Sequence, residues 1–230
     1  MALRRSIAIT ALAGCFVAAG CSTSGTGTVA SPPSKTELQS VVLTHGDLPS
    51  GWTGKHSTDT GSDPDVQAQL LDCIGAKGID LGTKLDQVYS DDFSTDQGLA
   101  SASSSASSFK SQKLIDARVK LLTNSKAEAC LNQTLQTALA KSGSGAAKFG
   151  TPTISLHTGP SGGPRNVAAV ANGTVDVTAQ GQQAKVYLDL YFIRGPLVTA
   201  TMEFTGVTKQ VDPALQKKLV AAVAMRAAKG

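Results

Sequence analysis

The residue types able to do chemistry are few in this chain and far apart. Its three histidines are His45, His56 and His157. No H-E-x-x-H pairs two of them on one helix, and no G-x-S-x-G marks a hydrolase elbow. Ser111-Gln112-Lys113 lacks the S-x-x-K spacing of penicillin-interacting enzymes. The glycines at Gly143/Gly145 and Gly162/Gly163 follow no strand–turn–helix pattern, so they make no phosphate loop. Asp86, Asp91, Asp92 and Asp96 cluster without the D-x-D-x-D-G spacing of a calcium loop. No catalytic residue, metal site or cofactor is therefore expected. An enzyme here would need histidines or carboxylates converging in a cleft without a standard motif.

One alternating pair of segments remains. Tyr187, Asp189 and Tyr191 form one set, and Thr199, Thr201 and Glu203 a second. Two aromatics and two carboxyls among hydroxyls would suit a ligand cleft, with the single tryptophan, Trp52, as a stacking surface. The plainer alternative is a partly solvated sheet face, where such cross-strand pairs are common, with Trp52 plugging the core edge.

The elements that would position these residues can be read from periodicity. Leu38, Val41 and Val42 suggest a short helix over Lys35–Leu43, ended before Pro49. Ser62-Asp63-Pro64 starts a helix carrying Val66, Leu70, Leu71, Cys73 and Ile74. Residues 76–97 look irregular, with one short strand near Val88–Phe93. Leu99–Phe109 is a Ser/Ala strand. Helices follow over Lys110–Leu122 and Lys126–Lys141, the second carrying Cys130. The period then drops to two: Thr153–His157, Arg165–Ala179, Ala184–Arg194 and Leu197–Phe204 are strands, joined at Gly159–Pro164, Gln180-Gly181-Gln182 and Arg194-Gly195-Pro196. Val186, Leu188, Leu190 and Phe192 are taken as core-facing, together with Val198, Ala200, Met202 and Phe204. Asp212-Pro213 opens a last helix. The expected fold is α+β, an antiparallel meander of three or four strands with one apolar face covered by helices.

The N-terminus carries the most specific signal. Met1-Ala2-Leu3-Arg4-Arg5 precedes an apolar run to Ala19, the form of a secretory signal, too short for a comfortable membrane span. Ala18-Ala19-Gly20-Cys21 resembles the lipobox of bacterial lipoproteins. The resemblance implies cleavage before Cys21 and a diacylglyceryl group on its thiol, often with a further acyl chain such as palmitate. Leu12-Ala13-Gly14-Cys15 matches the motif as well, but would leave an apolar core below the usual length. Ser22–Ser34, uncharged and rich in Ser, Thr, Gly and Pro, then serves as a tether. The expected division is residues 1–20 signal peptide, 21–35 lipidated tether and 36–230 one α+β domain, held at the extracytoplasmic face of the cell membrane.

Composition agrees with that address. The chain has 21 basic and 17 acidic residues, and Arg4 and Arg5 leave with the signal. The exported remainder is near balance and shows no clustered basic stripe, which argues against nucleic acid. Once Cys15 is removed and Cys21 acylated, Cys73 and Cys130 remain, an even pair in an oxidising compartment. They are expected to form a structural disulfide between two helices. A redox pair would favour C-x-x-C, and zinc would need more ligands.

The order of Leu48-Pro49-Ser50-Gly51-Trp52, Cys73-Ile74-Gly75, a Ser-rich strand, Ala129-Cys130-Leu131 and a terminal meander is similar to small actinobacterial envelope lipoproteins. It also resembles the extracellular sensor domains of mycobacterial serine/threonine kinases. That resemblance implies an α+β, disulfide-linked, groove-bearing domain, and transfers no functional residue. The expected function is non-enzymatic binding or sensing of a lipid, glycolipid or wall fragment. The alternative is a docking subunit for an envelope protein partner, without a small-molecule pocket.

Overall fold

Strict alternation of small and apolar residues builds the centre of the sheet, and two tight turns set its register. The computed structural model describes residues 31–57, 64–79, 81–142, 147–159 and 163–229. The expected signal peptide, both lipobox cysteines, the Ser62-Asp63 cap and the Ser142–Gly145 break lie wholly or largely outside these. Nine strands are described: β1 (Trp52–Lys55), β2 (Gln87–Tyr89), β3 (Asp92–Thr95), β4 (Ala100–Ser108), β5 (Ala147–Phe149), β6 (Thr153–Thr158), β7 (Val167–Ala179), β8 (Gln182–Gly195) and β9 (Val198–Val207). They form one antiparallel sheet in the order β1-β3-β4-β9-β8-β7-β5, with β2 beside β4 and β6 beside β7. The helices are α1 (Lys35–Gln39), α2 (Pro64–Ile74), α3 (Gln112–Leu122), α4 (Ala127–Ser142) and α5 (Pro213–Lys229). The fold is α+β.

The sheet is larger than the sequence implied, and both of its faces are covered. On one face Leu219, Val220, Val223 and Ala227 of α5, with Leu38 of α1 and Val41–Leu43 beyond it, pack on Ala102, Ala106, Met202, Phe204 and Ile193. On the other, Leu131, Leu135 and Leu139 of α4 pack on Ile154, Ala171, Val175, Leu188 and Leu190. One helix-covered apolar face was the expectation; here helices pack on parts of both faces, while β7 and β9 each keep one side buried and the other only partly so.

Local chemistry explains the joints. Gln180 and Gly181, both at positive φ, make the two-residue turn between β7 and β8. Asp212 caps α5, accepting from the amides of Ala214 and Leu215 at 3.3 Å each. Ser34 and Glu37 form a reciprocal capping box on α1, and Pro33 is already buried. The folded part thus begins inside the stretch assigned to the tether. Asn132 of α4 lends its amide to the edge strand β6: its Nδ2 donates to the Ile154 carbonyl at 2.9 Å, and its Oδ1 accepts from the Ile154 amide at 2.6 Å. That occupies an edge otherwise open to pairing.

Cys73 and Cys130 form a disulfide, with Cα atoms 5.7 Å apart. It ties α2 to α4, and beside it Ile74, Leu81, Leu121 and Ala127 make a third, smaller core.

Candidate functional site

The β4–β9 ladder carries the site. Ser101, Ser103, Ser105 and Ser107 stand opposite Thr205, Glu203, Thr201 and Thr199. Residues directly opposite in an antiparallel pair share a face. One face of these two strands is therefore all hydroxyl, apart from Glu203. On β7 and β8 the same face turns apolar and meets α4. The polar half is not left to solvent. Leu70 of α2, Val119 and Leu122 of α3, and Leu131 of α4 roof it, with Phe192 at the side.

Between roof and floor lies a cavity of about 90 Å³, floored by Ser105, Ser107, Thr199 and Thr201. Ser105 and Ser107 are 7% and 4% exposed. Among the described residues, none of the four hydroxyls has a hydrogen-bond partner. Buried polar groups normally find one, so an unpaired set facing an open volume marks a place where something else can bind.

Two cations also line the cavity. Arg118 is buried on α3, where apolar spacing alone would not place it. Its Nη2 donates to the carbonyls of Leu81 and Gly82 at 2.8 and 3.0 Å, and its guanidinium lies 4.4 Å from the Phe109 ring centre. It pins the segment at the cavity rim. Lys84 on that segment donates to Gln87 Oε1 at 2.9 Å.

The residues singled out from the sequence do not converge. Thr199, Thr201 and Glu203 lie on the hydroxyl face. Tyr187, Asp189 and Tyr191 lie on the opposite one, because Asp189 pairs with Phe204 and Tyr191 with Met202. The single outer face assumed for all six is corrected to two. Asp189 is buried beneath α5, where Asn172 Nδ2 donates to its Oδ1 at 2.6 Å, and Gln210 and Gln216 donate to its Oδ2 at 2.8 Å each. The Tyr191 hydroxyl donates to Gln216 Oε1 at 2.9 Å. Burial, then the nearby Asp189 charge, raises the Tyr191 pKa above its ordinary value, so this phenol stays a donor at neutral pH. Its ring meets Phe204 edge-on at 5.8 Å. Tyr187, half-buried, sits across from Thr174 and Gly206. Trp52 is mostly buried against the α5 core and edges a separate open hollow of about 440 Å³ with Leu99, Val211 and Leu215.

The histidines stay apart as well: His45 beside Phe93, His56 beside Asp91, and His157 on β6, all exposed. Among the described residues no group of His, Cys, Asp or Glu is placed to hold a metal ion. None of the described helices is long and apolar enough to cross a membrane.

Sequence reasoning missed Ser105, Ser107 and the roof, which is three leucines and Val119. The signal was there in the odd-numbered serines of Leu99–Phe109, which recur at every second position as a sheet face requires.

The fold and cavity define a helix-covered antiparallel α+β domain with an amphipathic internal pocket. No family model matches the sequence, and no curated protein matches it. Among solved structures, the extracellular domain of PknH from Mycobacterium tuberculosis is similar at 9% identity and a TM-score of 0.46, over 87% of this chain and 99% of that one.

Proposed function

We propose that this chain is an exported, lipid-anchored envelope protein whose domain binds or senses a lipid, a glycolipid or a wall fragment and performs no reaction of its own. The carrying observation is the cavity: apolar side chains on three helices face four unpaired hydroxyls on the sheet. That is the make-up of a site for a molecule with one oily and one oxygen-bearing side. At about 90 Å³ it is smaller than the ~300–1,000 Å³ of sites that enclose whole drug-sized ligands. It therefore takes one end of a ligand.

The anchor is Cys21. Two or more acyl chains hold a protein stably at a bilayer, where one does so only marginally. From Cys21 the uncharged segment leads directly to the capped start of α1.

Leu131→Trp fills the cavity from α4. Small molecules extracted from the membrane-purified protein are to be compared by mass spectrometry between the natural chain and this variant. An amphiphile enriched with the first and lost from the second is the expected result; matching extracts would overturn the binding role in favour of a docking protein. In a separate arm, Cys21→Ala is expected to abolish membrane retention, and a variant that stays in the membrane would refute the anchor.

A further inference from the structure

The hydroxyl floor specifies more than amphipathic character. Ser105 faces Thr201, and Ser107 faces Thr199. With opposite residues roughly 5 Å apart and alternate ones roughly 7 Å apart, the four hydroxyls make a small rectangle. Each can both donate and accept. Such an array matches a group that also presents several oxygens at fixed spacing, some donating and some accepting.

Charge narrows the class. Among the described residues no carboxyl group lines the cavity, so a cationic head would enter without a counter-charge. Arg118 Nη2 is engaged with two carbonyls while its guanidinium lies against the Phe109 ring, and Lys84 is engaged with Gln87. An anion would have to compete with those protein acceptors, whereas a neutral hydroxyl or ester oxygen can use the floor as it stands. The roof, being wholly apolar on α2 and α4, suits a hydrocarbon chain.

We propose that Ser105, Ser107, Thr199 and Thr201 form the polar subsite for an uncharged, oxygen-rich head group, a sugar or glycerol unit, whose attached alkyl chain lies against the helical roof. This rests on the reading of the cavity as the ligand site.

Hexyl β-glucoside, hexanoate and hexylammonium share a chain and differ in head group. Their affinities for the full exported chain, held in polymer-bounded discs of deuterated lipid, can be measured by saturation-transfer NMR. Hexyl glucoside is expected to bind about tenfold or more tightly than either ion, and the double variant Ser105→Ala, Thr201→Val to erase that preference. Both substitutions nearly preserve shape, and thermal melting checks that the fold is kept. If an ion binds as well as the glucoside, or the double variant leaves the preference unchanged, the polar subsite is refuted while the cavity remains a binding site. If no hexyl probe binds at all, the cavity reading falls, and this inference with it.

Discussion

Gln216 Nε2 donates to Asp189 Oδ2 at 2.8 Å, and both side chains are 2% exposed. This bond fastens α5 to the middle of the sheet, and the Gln216 amide also donates to the Val211 carbonyl at 3.0 Å. Asp189 thus serves the fold. Three amides satisfy it, and the Tyr191 hydroxyl extends the network through Gln216. A buried network of this kind is costly to break, because every partner left behind loses its bond at once.

Asp189→Asn keeps the volume but aims an N–H₂ group at neighbouring amide donors. It is expected to lower stability by about 2 kcal/mol, read from urea unfolding. Tyr191→Phe removes only the outer member and is expected to cost about 1 kcal/mol. If Asp189→Asn unfolds no more easily than the natural chain, α5 is not held by this node.

The staple is the second test. In the chain-entropy model, a bridge closing a loop of 57 residues stabilises by about 4 kcal/mol. Leu70 lies one helical turn from Cys73, and Leu131 is next to Cys130; both roof the cavity. Replacing both cysteines by serine is therefore expected to lower stability by about that amount and to weaken binding of hexyl glucoside. Intact mass before and after reduction checks that the bridge is present in the natural protein.

Asp47 and Arg226, 179 residues apart, give a pH dependence of known sign. Burial opposes ionisation of Asp47. The Thr44 amide, donating at 2.8 Å, and the Arg226 guanidinium, donating at 3.1–3.2 Å, outweigh it and hold the carboxyl below its ordinary range. A carboxyl with a lowered folded pKa contributes stability that is present above the unfolded pKa and lost as pH falls through the folded one. Asp47→Asn is expected to cost about 1 kcal/mol at neutral pH and nothing once both proteins are fully protonated. Melting temperatures of the two chains should converge with acidification; a constant gap would refute the account.

Much of this architecture is legible from local pattern. Period-two alternation locates β4, β7, β8 and β9, and apolar spacing locates α2 to α5, because each element must bury one side of itself whatever lies across from it. The short edge strands Trp52–Lys55 and Ala147–Phe149 are not legible, since three or four residues carry too little pattern. Arg118 was hidden for another reason. Its burial depends on the carbonyls of Leu81 and Gly82, which only the folded chain brings to α3.

Period-two alternation already places Tyr187, Asp189 and Tyr191 on one side of their strand, and Thr199, Thr201 and Glu203 on one side of theirs. That these are opposite sides of the sheet follows from the register of the folded strands. Pro196 and Leu197 form a two-residue turn that pairs Gly195 with Val198, so odd positions of β8 meet even positions of β9. In a sheet with one buried face, apolar alternation would have revealed that parity. Here helices bury both faces, so the apolar set of β8 packs on α4 and that of β9 on α5, and alternation cannot say which is which. The cavity exists for the same reason: a row of serines becomes a binding floor only when the register sets threonines beside it and three helices close over both.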